Sequence, residues 1–213
     1  MELTRTANAG ILLKLDGVSI LLDGVCREEY PYPATPPGVK ADLMAELPDA
    51  VAFTHAHNDH YDPDFAAYAL QKNGVILGPA DCCGTLEPIT VGTVKITPVS
   101  SRHIGAAGKT TSHVSFIIEG SQCVWFTGDC SPLFWKGKTH LPAPDVMFAP
   151  YAYAATHTTI ELVKELGAKK LVILHLPKRT EDPYQLWSAV ENTLKQGSGM
   201  DTSIPDLGQT ISL

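Results

Sequence analysis

Residues 54–60 read Thr54-His55-Ala56-His57-Asn58-Asp59-His60, the most informative stretch of the chain. It places three imidazoles and one carboxylate within six residues. An apolar segment predicted to be a strand, residues 50–54, runs directly into it, and a predicted helix, residues 63–72, follows it. A loop between a strand and a helix can aim several side chains at one point. Because histidine and aspartate bind zinc and chemically similar metals, the stretch predicts a metal site.

Three further candidate ligands come just after other apolar segments that are predicted to be strands. They are His103, Asp129 and His175. Each alone has a simpler interpretation, because a histidine at a strand end is commonly a hydrogen-bonded structural residue and an aspartate after glycine is commonly a turn residue. One loop cannot complete two metal sites, so we expect these three residues to join the histidine-rich loop.

The remaining chain predicts hairpins first and strand–helix units later. Asp16-Gly17 lies between two short apolar segments, which is a strong hairpin pattern. Asp62 is a predicted N-cap and Pro63 the first residue of the helix that follows the histidine-rich loop. Predicted helices span residues 63–72, 156–166 and 185–194. Two sheets with helices on their outer faces would accommodate both halves of the chain.

In this order, the candidate ligands resemble the motifs of the metallo-β-lactamase-fold superfamily of metallohydrolases. The resemblance covers nearly the whole chain, residues 9–213. The matching motifs are residues 55–60, His103, Thr127-Gly128-Asp129 and His175. The resemblance implies an α/β fold, an αββα sandwich of two mixed β-sheets with helices on the outer faces, in one domain of residues 1–213. The chain is most similar to the small single-domain branch that includes ascorbate-6-phosphate lactonase-like proteins.

The resemblance also implies a site for two metal ions. The ligands of the first ion would be His55, His57 and His103. The ligands of the second ion would be Asp59, His60 and His175. Asp129 would bridge the two ions, and Asp23 would orient a ligand without binding metal itself. The implied cofactors are two divalent metal ions, with Zn²⁺ favoured and Mn²⁺ or Fe²⁺ as alternatives.

The third motif has two candidate histidines. His103 lies in a loop directly after a predicted strand, whereas His113 begins the next predicted strand. A side chain at the start of a strand points to one face of the sheet, so His113 is expected to lie in the sheet or beside the site. We therefore predict His103 as the ligand and keep His113 as the alternative.

The function that this site implies is metal-dependent hydrolysis of a small ester, lactone or phosphoester. A hydroxide held between the two metals would be the nucleophile, fixed in place by Asp59 and Asp129. The chain has neither a Gly-x-Ser-x-Gly elbow nor a P-loop, which favours this route over a covalent serine intermediate. The alternatives are a phosphodiesterase or nuclease, a redox di-iron module, and a metal-binding protein without catalysis.

Candidate substrate contacts follow the last predicted strands. His157 could donate a proton or cap a helix. Tyr153, with Tyr151, could line the mouth of the site. Lys178 and Arg179 could bind an anionic substrate, although a charged pair on a solvated turn is the commoner arrangement.

A loop rich in proline and tyrosine, residues 28–38, precedes the histidine-rich stretch. Its composition is typical of a surface connector. Its position in the chain also permits a lid over a nearby site, so both interpretations stay open.

Composition narrows the possible partners. The 213 residues carry 16 lysines and arginines against 23 aspartates and glutamates, which gives a net charge of −7. Proteins that bind nucleic acid usually show a basic surface, so this balance argues against that class. The expected partner is a small-molecule substrate, which could be anionic, with no nucleic acid and no membrane. The N-terminal residues lack the apolar region of a signal peptide, and five cysteines fit reduced thiols. Both observations favour a cytoplasmic location.

Overall fold

The computed structural model describes residues 1–213 and contains twelve strands in two sheets. The strands are β1 (Glu2–Arg5), β2 (Ile11–Leu15), β3 (Val18–Leu22), β4 (Ala50–Ala52), β5 (Ile89–Val91), β6 (Val94–Ser100), β7 (Val114–Glu119), β8 (Cys123–Phe126), β9 (Val146–Pro150), β10 (Lys170–Leu174), β11 (Asp201–Ser203) and β12 (Thr210–Ser212). The first sheet has the order β12-β1-β2-β3-β4, and the second has the order β11-β10-β9-β8-β7-β6-β5. Both sheets mix parallel and antiparallel pairs, as predicted.

Four α-helices cover the outer faces of the two sheets. They are α1 (Pro37–Ala45), α2 (Pro63–Asn73), α3 (His157–Glu165) and α4 (Leu186–Lys195). Leu43 of α1 and Phe65 of α2 pack in one apolar cluster with Val51 of β4. Ile160 of α3 and Val190 of α4 pack in another cluster with strands of the second sheet. The predicted αββα sandwich is therefore confirmed.

The main core lies between the sheets because the strands alternate apolar side chains. Ile11, Leu13 and Leu15 of β2 are buried, whereas Lys14 between them is exposed. Successive side chains of a strand point to opposite faces, so one face of β2 faces the second sheet. The second sheet contributes residues such as Phe116 to the same core. The strands β9 and β10 are almost continuously apolar because helices cover their other face.

The hairpin predicted at Asp16-Gly17 is present. β2 and β3 pair antiparallel, and Leu15 lies opposite Val18. Asp16 and Gly17 both have positive φ angles, 52° and 81°, as the tightest two-residue hairpins require. This conformation suits glycine and is tolerated by aspartate, which explains why the dipeptide identified the turn.

The helix after the histidine-rich loop also begins and ends where the sequence indicates. The Asp62 carboxylate accepts hydrogen bonds from the backbone N–H groups of Asp64 and Phe65, at 2.9 and 3.0 Å. Pro63 occupies the first turn, and Gly74 ends the helix in the left-handed conformation. These caps satisfy backbone groups that a helix leaves unpaired at its ends.

Several elements differ from the sequence prediction. α1 and the short strands β1, β5 and β11 were not predicted, and they have weak local patterns. Residues 75–77 form no named strand, and Leu77 makes only single-residue bridges with Ala52 and Thr85. The edge strands β5 and β11 depend on the neighbouring strand more than on their own residues.

Strand direction brings the candidate site together. β3 and β4 run parallel, as do β8, β9 and β10. β6 also runs in the direction of β8, since both pair antiparallel with β7. The loops that follow β4, β6, β8 and β10 carry the predicted ligands, so in each sheet these loops leave from the same edge.

No helix in this fold combines the length and apolar character that crossing a membrane requires.

We predict that Asp62→Ala lowers the free energy of unfolding by about 1 kcal/mol at neutral pH, because α2 loses its N-cap. Lys40 and the two backbone amides lower the Asp62 pKa, although burial opposes them. A lowered pKa means that the contribution is complete above the unfolded-state pKa and is lost as the pH falls. Urea denaturation at neutral and acidic pH measures both effects.

Asp64→Ala is the matched control for this prediction. The Asp64 side chain is 80% exposed and pairs only with Arg27 at the surface. Its removal should leave stability nearly unchanged. Equal losses in the two variants would contradict the capping role of Asp62.

Candidate metal centre

Seven predicted ligands meet at one edge of the sandwich. Their nitrogen and oxygen atoms form three overlapping groups, in each of which the atoms lie within 4.8 Å of one another. The groups are His55 with His57 and His103; His55 with His60 and Asp129; and Asp59 with His60 and His175. Four separate loops therefore supply one compact cluster of donors.

The first group is arranged around His55, which is fully buried. Its Nε2 atom lies 3.1 Å from Nδ1 of His57, and its Nδ1 atom lies 2.9 Å from the Thr54 hydroxyl. The other nitrogen of His57, Nε2, lies 3.3 Å from the Thr111 hydroxyl. Each ring thus has a hydroxyl partner on one nitrogen, and the two remaining nitrogens face each other. This arrangement orients both rings so that their free nitrogens could bind the same metal ion.

The second group contains His60 and His175 beside Asp59. Nε2 of His175 lies 3.0 Å from the Asp59 carboxylate, and Nε2 of His60 lies 3.8 Å from the same oxygen. All three side chains are buried. His175 has a positive φ angle of 58°, which is uncommon for a residue other than glycine.

Asp129 lies between the two groups. Its Oδ2 atom is 3.6 Å from Nε2 of His103 and 3.4 Å from Nε2 of His175, and its Oδ1 atom is 3.5 Å from Nε2 of His60. One carboxylate therefore reaches donors of both groups. This is the position that a ligand bridging two ions requires.

Divalent metal ions fit this set of residues. Nε2 of His60, His103 and His175 and Oδ1 of Asp129 are buried and have no hydrogen-bond partner. Burying polar atoms without partners is costly, and such atoms rarely converge by chance. Nitrogen and carboxylate donors are the ligands that zinc and related ions prefer. Metal ions bound at this point would satisfy the unpaired atoms.

Burial and neighbouring charges set the protonation states of the buried carboxylates and of His55. Burial alone would raise the pKa of Asp59 and Asp129, but the neighbouring imidazoles His60 and His175 lower both, so the carboxylates are ionised. Burial, together with the nearby His60, lowers the pKa of His55 well below its usual value. His55 is therefore a neutral imidazole with a free electron pair.

Asp23 orients the histidine-rich loop. Its buried carboxylate accepts hydrogen bonds from the Thr54 backbone N–H at 2.7 Å and from the Thr54 hydroxyl at 2.6 Å, and it lies 2.8 Å from Nδ1 of His60. This contact directs Nε2 of His60 toward Asp129. Gly128 permits the close packing here, because a Cβ at this position would lie 2.5 Å from the Thr54 side chain.

Two residues that contact the ligands were not predicted from the sequence. Nδ2 of Asn8 lies 3.5 Å from the Asp59 carboxylate, and the Asn8 carbonyl accepts hydrogen bonds from the buried Arg5 guanidinium and from the His175 backbone N–H. Thr111 contacts His57, as described above. Asn8 and Thr111 are about 50 residues from the ligands that they contact, and no local pattern marks such residues.

The structure brings His103 and not His113 into the donor groups. His113 is buried behind His55, with ring centroids 5.1 Å apart, and its Nδ1 atom lies 2.8 Å from the Ser101 hydroxyl. Burial lowers the pKa of His113 to about 3, so its ring is neutral.

The predicted substrate contacts lie in less suitable positions. Tyr153 is only 1% exposed, and its hydroxyl accepts a hydrogen bond from Trp135 and donates one to the Cys130 carbonyl. It is a core residue, which does not fit contact with a substrate. His157 is exposed on α3 and lies 2.9 Å from the Gln196 side chain, while Thr156 caps that helix. Lys178 is exposed beside Glu181.

The loop of residues 28–38 packs against the metal centre. The Tyr32 ring lies edge-on to His175, with ring centroids 4.4 Å apart. Thr35 anchors the loop by accepting a hydrogen bond from the Cys26 backbone N–H at 2.9 Å. Burial, together with the nearby carboxylates of Asp129 and Asp59, raises the pKa of Tyr32, so its phenol keeps its proton. The loop is a wall of the site in this structure.

Comparisons with known proteins identify a matching family and several proteins of similar fold. Residues 2–175 match the family described as the beta-lactamase superfamily domain. The UPF0173 metal-dependent hydrolase of Salinibacter ruber is 28% identical over 245 aligned positions, which cover 100% of both chains. The isothiocyanate hydrolase from Delia radicum gut bacteria has a TM-score of 0.72 at 16% identity, covering 100% of this chain and 99% of that one. A possible metal-dependent hydrolase from Veillonella parvula has a TM-score of 0.71 at 15% identity, with the same coverage. The two structures share the fold.

We predict that Asp23→Asn weakens metal binding by about 10- to 100-fold, because an amide cannot accept all three of the hydrogen bonds that orient Thr54 and His60. Asparagine has the same shape and tolerates the φ angle of 47° at this position. Competition with a chromophoric zinc chelator measures the affinity. Asp49→Asn is the control, since Asp49 bonds to Ser19 far from the cluster. Unchanged affinity in Asp23→Asn would exclude the orienting role.

Proposed function

Since the chain belongs to the beta-lactamase superfamily and is a metal-dependent hydrolase, we propose that it hydrolyses a small ester, lactone or phosphoester at a dinuclear metal centre. The single observation that supports two ions is the position of Asp129, whose carboxylate reaches donors of both ligand groups. Zn²⁺ is the favoured metal, with Mn²⁺ or Fe²⁺ as alternatives.

The residues have separate roles in this proposal. His55, His57 and His103 would hold one ion, and Asp59, His60 and His175 would hold the other. The Asp129 carboxylate lies within reach of both sets of ligands. When bound, the two ions would supply a nucleophilic hydroxide near neutral pH and polarise the bond to be cleaved.

Protein groups around the ions orient the reacting molecules. The carboxylates of Asp59 and Asp129 are ionised, so each can accept a hydrogen bond from a water molecule. That hydrogen bond would orient the lone pair of the water oxygen toward the bond to be cleaved. The Asn8 amide restrains Asp59. The Tyr32 ring covers one side of His175 and keeps bulk water away from that side.

The alternative functions are separated by one substrate panel, tested with and without a chelator. The panel contains a lactone, a thioester, a phosphodiester and a single-stranded oligonucleotide. It also contains an isothiocyanate, because one structural neighbour is named an isothiocyanate hydrolase. Turnover of the phosphodiester and oligonucleotide alone would favour the phosphodiesterase or nuclease. Metal analysis is a separate measurement, in which bound iron with oxygen-dependent absorbance would favour a redox module.

We predict that His57→Ala abolishes metal-dependent turnover and leaves the fold intact, because His57 is half-buried and lies outside the apolar core. Removing metal with a chelator should have the same effect in the wild type, and added Zn²⁺ should restore activity only there. Hydrolysis rates and circular dichroism measure the two properties. His140→Ala, at an exposed histidine, is the control. Wild-type activity in His57→Ala would refute the site.

A second prediction separates the two candidate histidines. His103→Ala should lose one of the bound ions, because Nε2 of His103 belongs to the first donor group. His113→Ala should keep both, because His113 lies outside the donor groups. Metal content by mass spectrometry is the measurement. The reverse result would assign the ligand to His113.

A further inference from the structure

A cavity of about 340 Å³ opens beside the first donor group. Its walls are Arg102, His103, Gly105, Ser131, Leu133 and Phe134. His103 is a ligand in the proposed centre and forms part of the cavity wall, so the cavity borders one residue of that centre. The cavity volume is at the lower end of the range typical for small-molecule sites.

Leu133 makes one wall of the cavity apolar. It lies on a short 3-10 helix, Pro132–Trp135, and is 69% exposed, although Pro132 and Trp135 on either side are buried. Trp135 anchors the turn by donating a hydrogen bond to Tyr153. A single exposed leucine is ordinary on a protein surface. Here it stands in a concave wall with Phe134, beside a metal ligand, on a turn that the core holds in place.

Arg102 gives the same cavity an unpaired positive charge. The other three arginines, Arg5, Arg27 and Arg179, all bond to carbonyls or carboxylates. The Arg102 side chain makes no ion pair or hydrogen bond, although its backbone carbonyl is fixed by the Ser131 N–H at 2.8 Å. An arginine in this state can bind a carboxylate or phosphate.

We propose that this cavity binds the apolar acyl or alkyl group of the substrate, and that Arg102 binds a negative charge on the same molecule. The inference rests on the proposed hydrolysis and names its substrate class, an amphipathic anion. Water adds to the scissile carbonyl or phosphoryl centre beside His103, the bond to the leaving oxygen breaks, and that oxygen takes a proton from water. The apolar group stays against Leu133 and Phe134.

The apolar part of the proposal is tested with p-nitrophenyl acetate, butyrate and hexanoate and the zinc-loaded enzyme. In the wild type, kcat/KM should rise by up to about fourfold for each methylene group that is buried. Leu133→Ser should lower kcat/KM for the hexanoate by about tenfold or more and leave the acetate within twofold. Leu86→Ser, at a leucine that is 48% exposed outside the cavity, should behave as the wild type. A chain-length profile that is flat in the wild type, or unchanged in Leu133→Ser, would overturn this part.

The role of the Arg102 charge is tested with two esters of equal chain length. Mono-p-nitrophenyl glutarate carries a terminal carboxylate, and p-nitrophenyl pentanoate carries a terminal methyl group. Arg102→Gln should lower kcat/KM for the glutarate by about tenfold and leave the pentanoate unchanged. Lys136→Gln makes the same change in net charge at a nearby exposed position and should affect neither ester. Equal losses on the two esters, or no loss, would overturn the role of Arg102.

A binding measurement separates this inference from the proposed function. Titration calorimetry should show hexanoate binding to the zinc-loaded wild type about tenfold more tightly than to Leu133→Ser. If no ester in the panel is hydrolysed but this difference is present, the proposed function fails and the cavity assignment stands. If esters are hydrolysed in a metal-dependent reaction but hexanoate binds both proteins equally, the cavity assignment fails alone.

Discussion

The buried carboxylate of Asp23 is the interaction on which the metal centre depends. It follows β3 and holds both Thr54, two residues after the neighbouring strand β4, and His60, six residues further on. One side chain thereby fixes the backbone beside the first sheet and also orients the ring of His60. A buried carboxylate is stable only when hydrogen bonds and charges compensate its lost hydration. The three contacts provide that compensation and also make the loop rigid.

The charge balance of the centre explains how an acidic chain can hold it. Asp59 and Asp129 are buried anions, and their pKa values are lowered by the imidazoles around them. The same carboxylates raise the pKa of His60, against the effect of its burial. Divalent ions would replace these protons as the positive partners. The net charge of −7 therefore gives no guide to the sign at the site, because bound cations dominate locally.

Agreement between sequence and structure is best where a feature is local. The Asp16-Gly17 turn and the N-cap of α2 depend on the conformations available to a few neighbouring residues, and both were predicted. The ligands of the loop after β4 were identified because their spacing is compact. Tyr153 shows the opposite case. Its place in the chain suggested the mouth of the site, but its hydroxyl forms hydrogen bonds with Trp135 and Cys130 in the core.

The donor types and their order along the chain could be identified from sequence, because metal-binding residues leave a compact pattern, and the resemblance of that pattern to a known superfamily implied the αββα class. The residues that support the donors emerged only from the folded structure. Asn8, Thr111 and Tyr32 reach the ligands across long stretches of chain. The choice of His103 over His113 depends on which ring lies among the other donors, since both rings are buried. Leu133 and Arg102 line one cavity only because the loops after β6 and β8 meet there. Such contacts depend on the packing of distant elements, which no local pattern encodes.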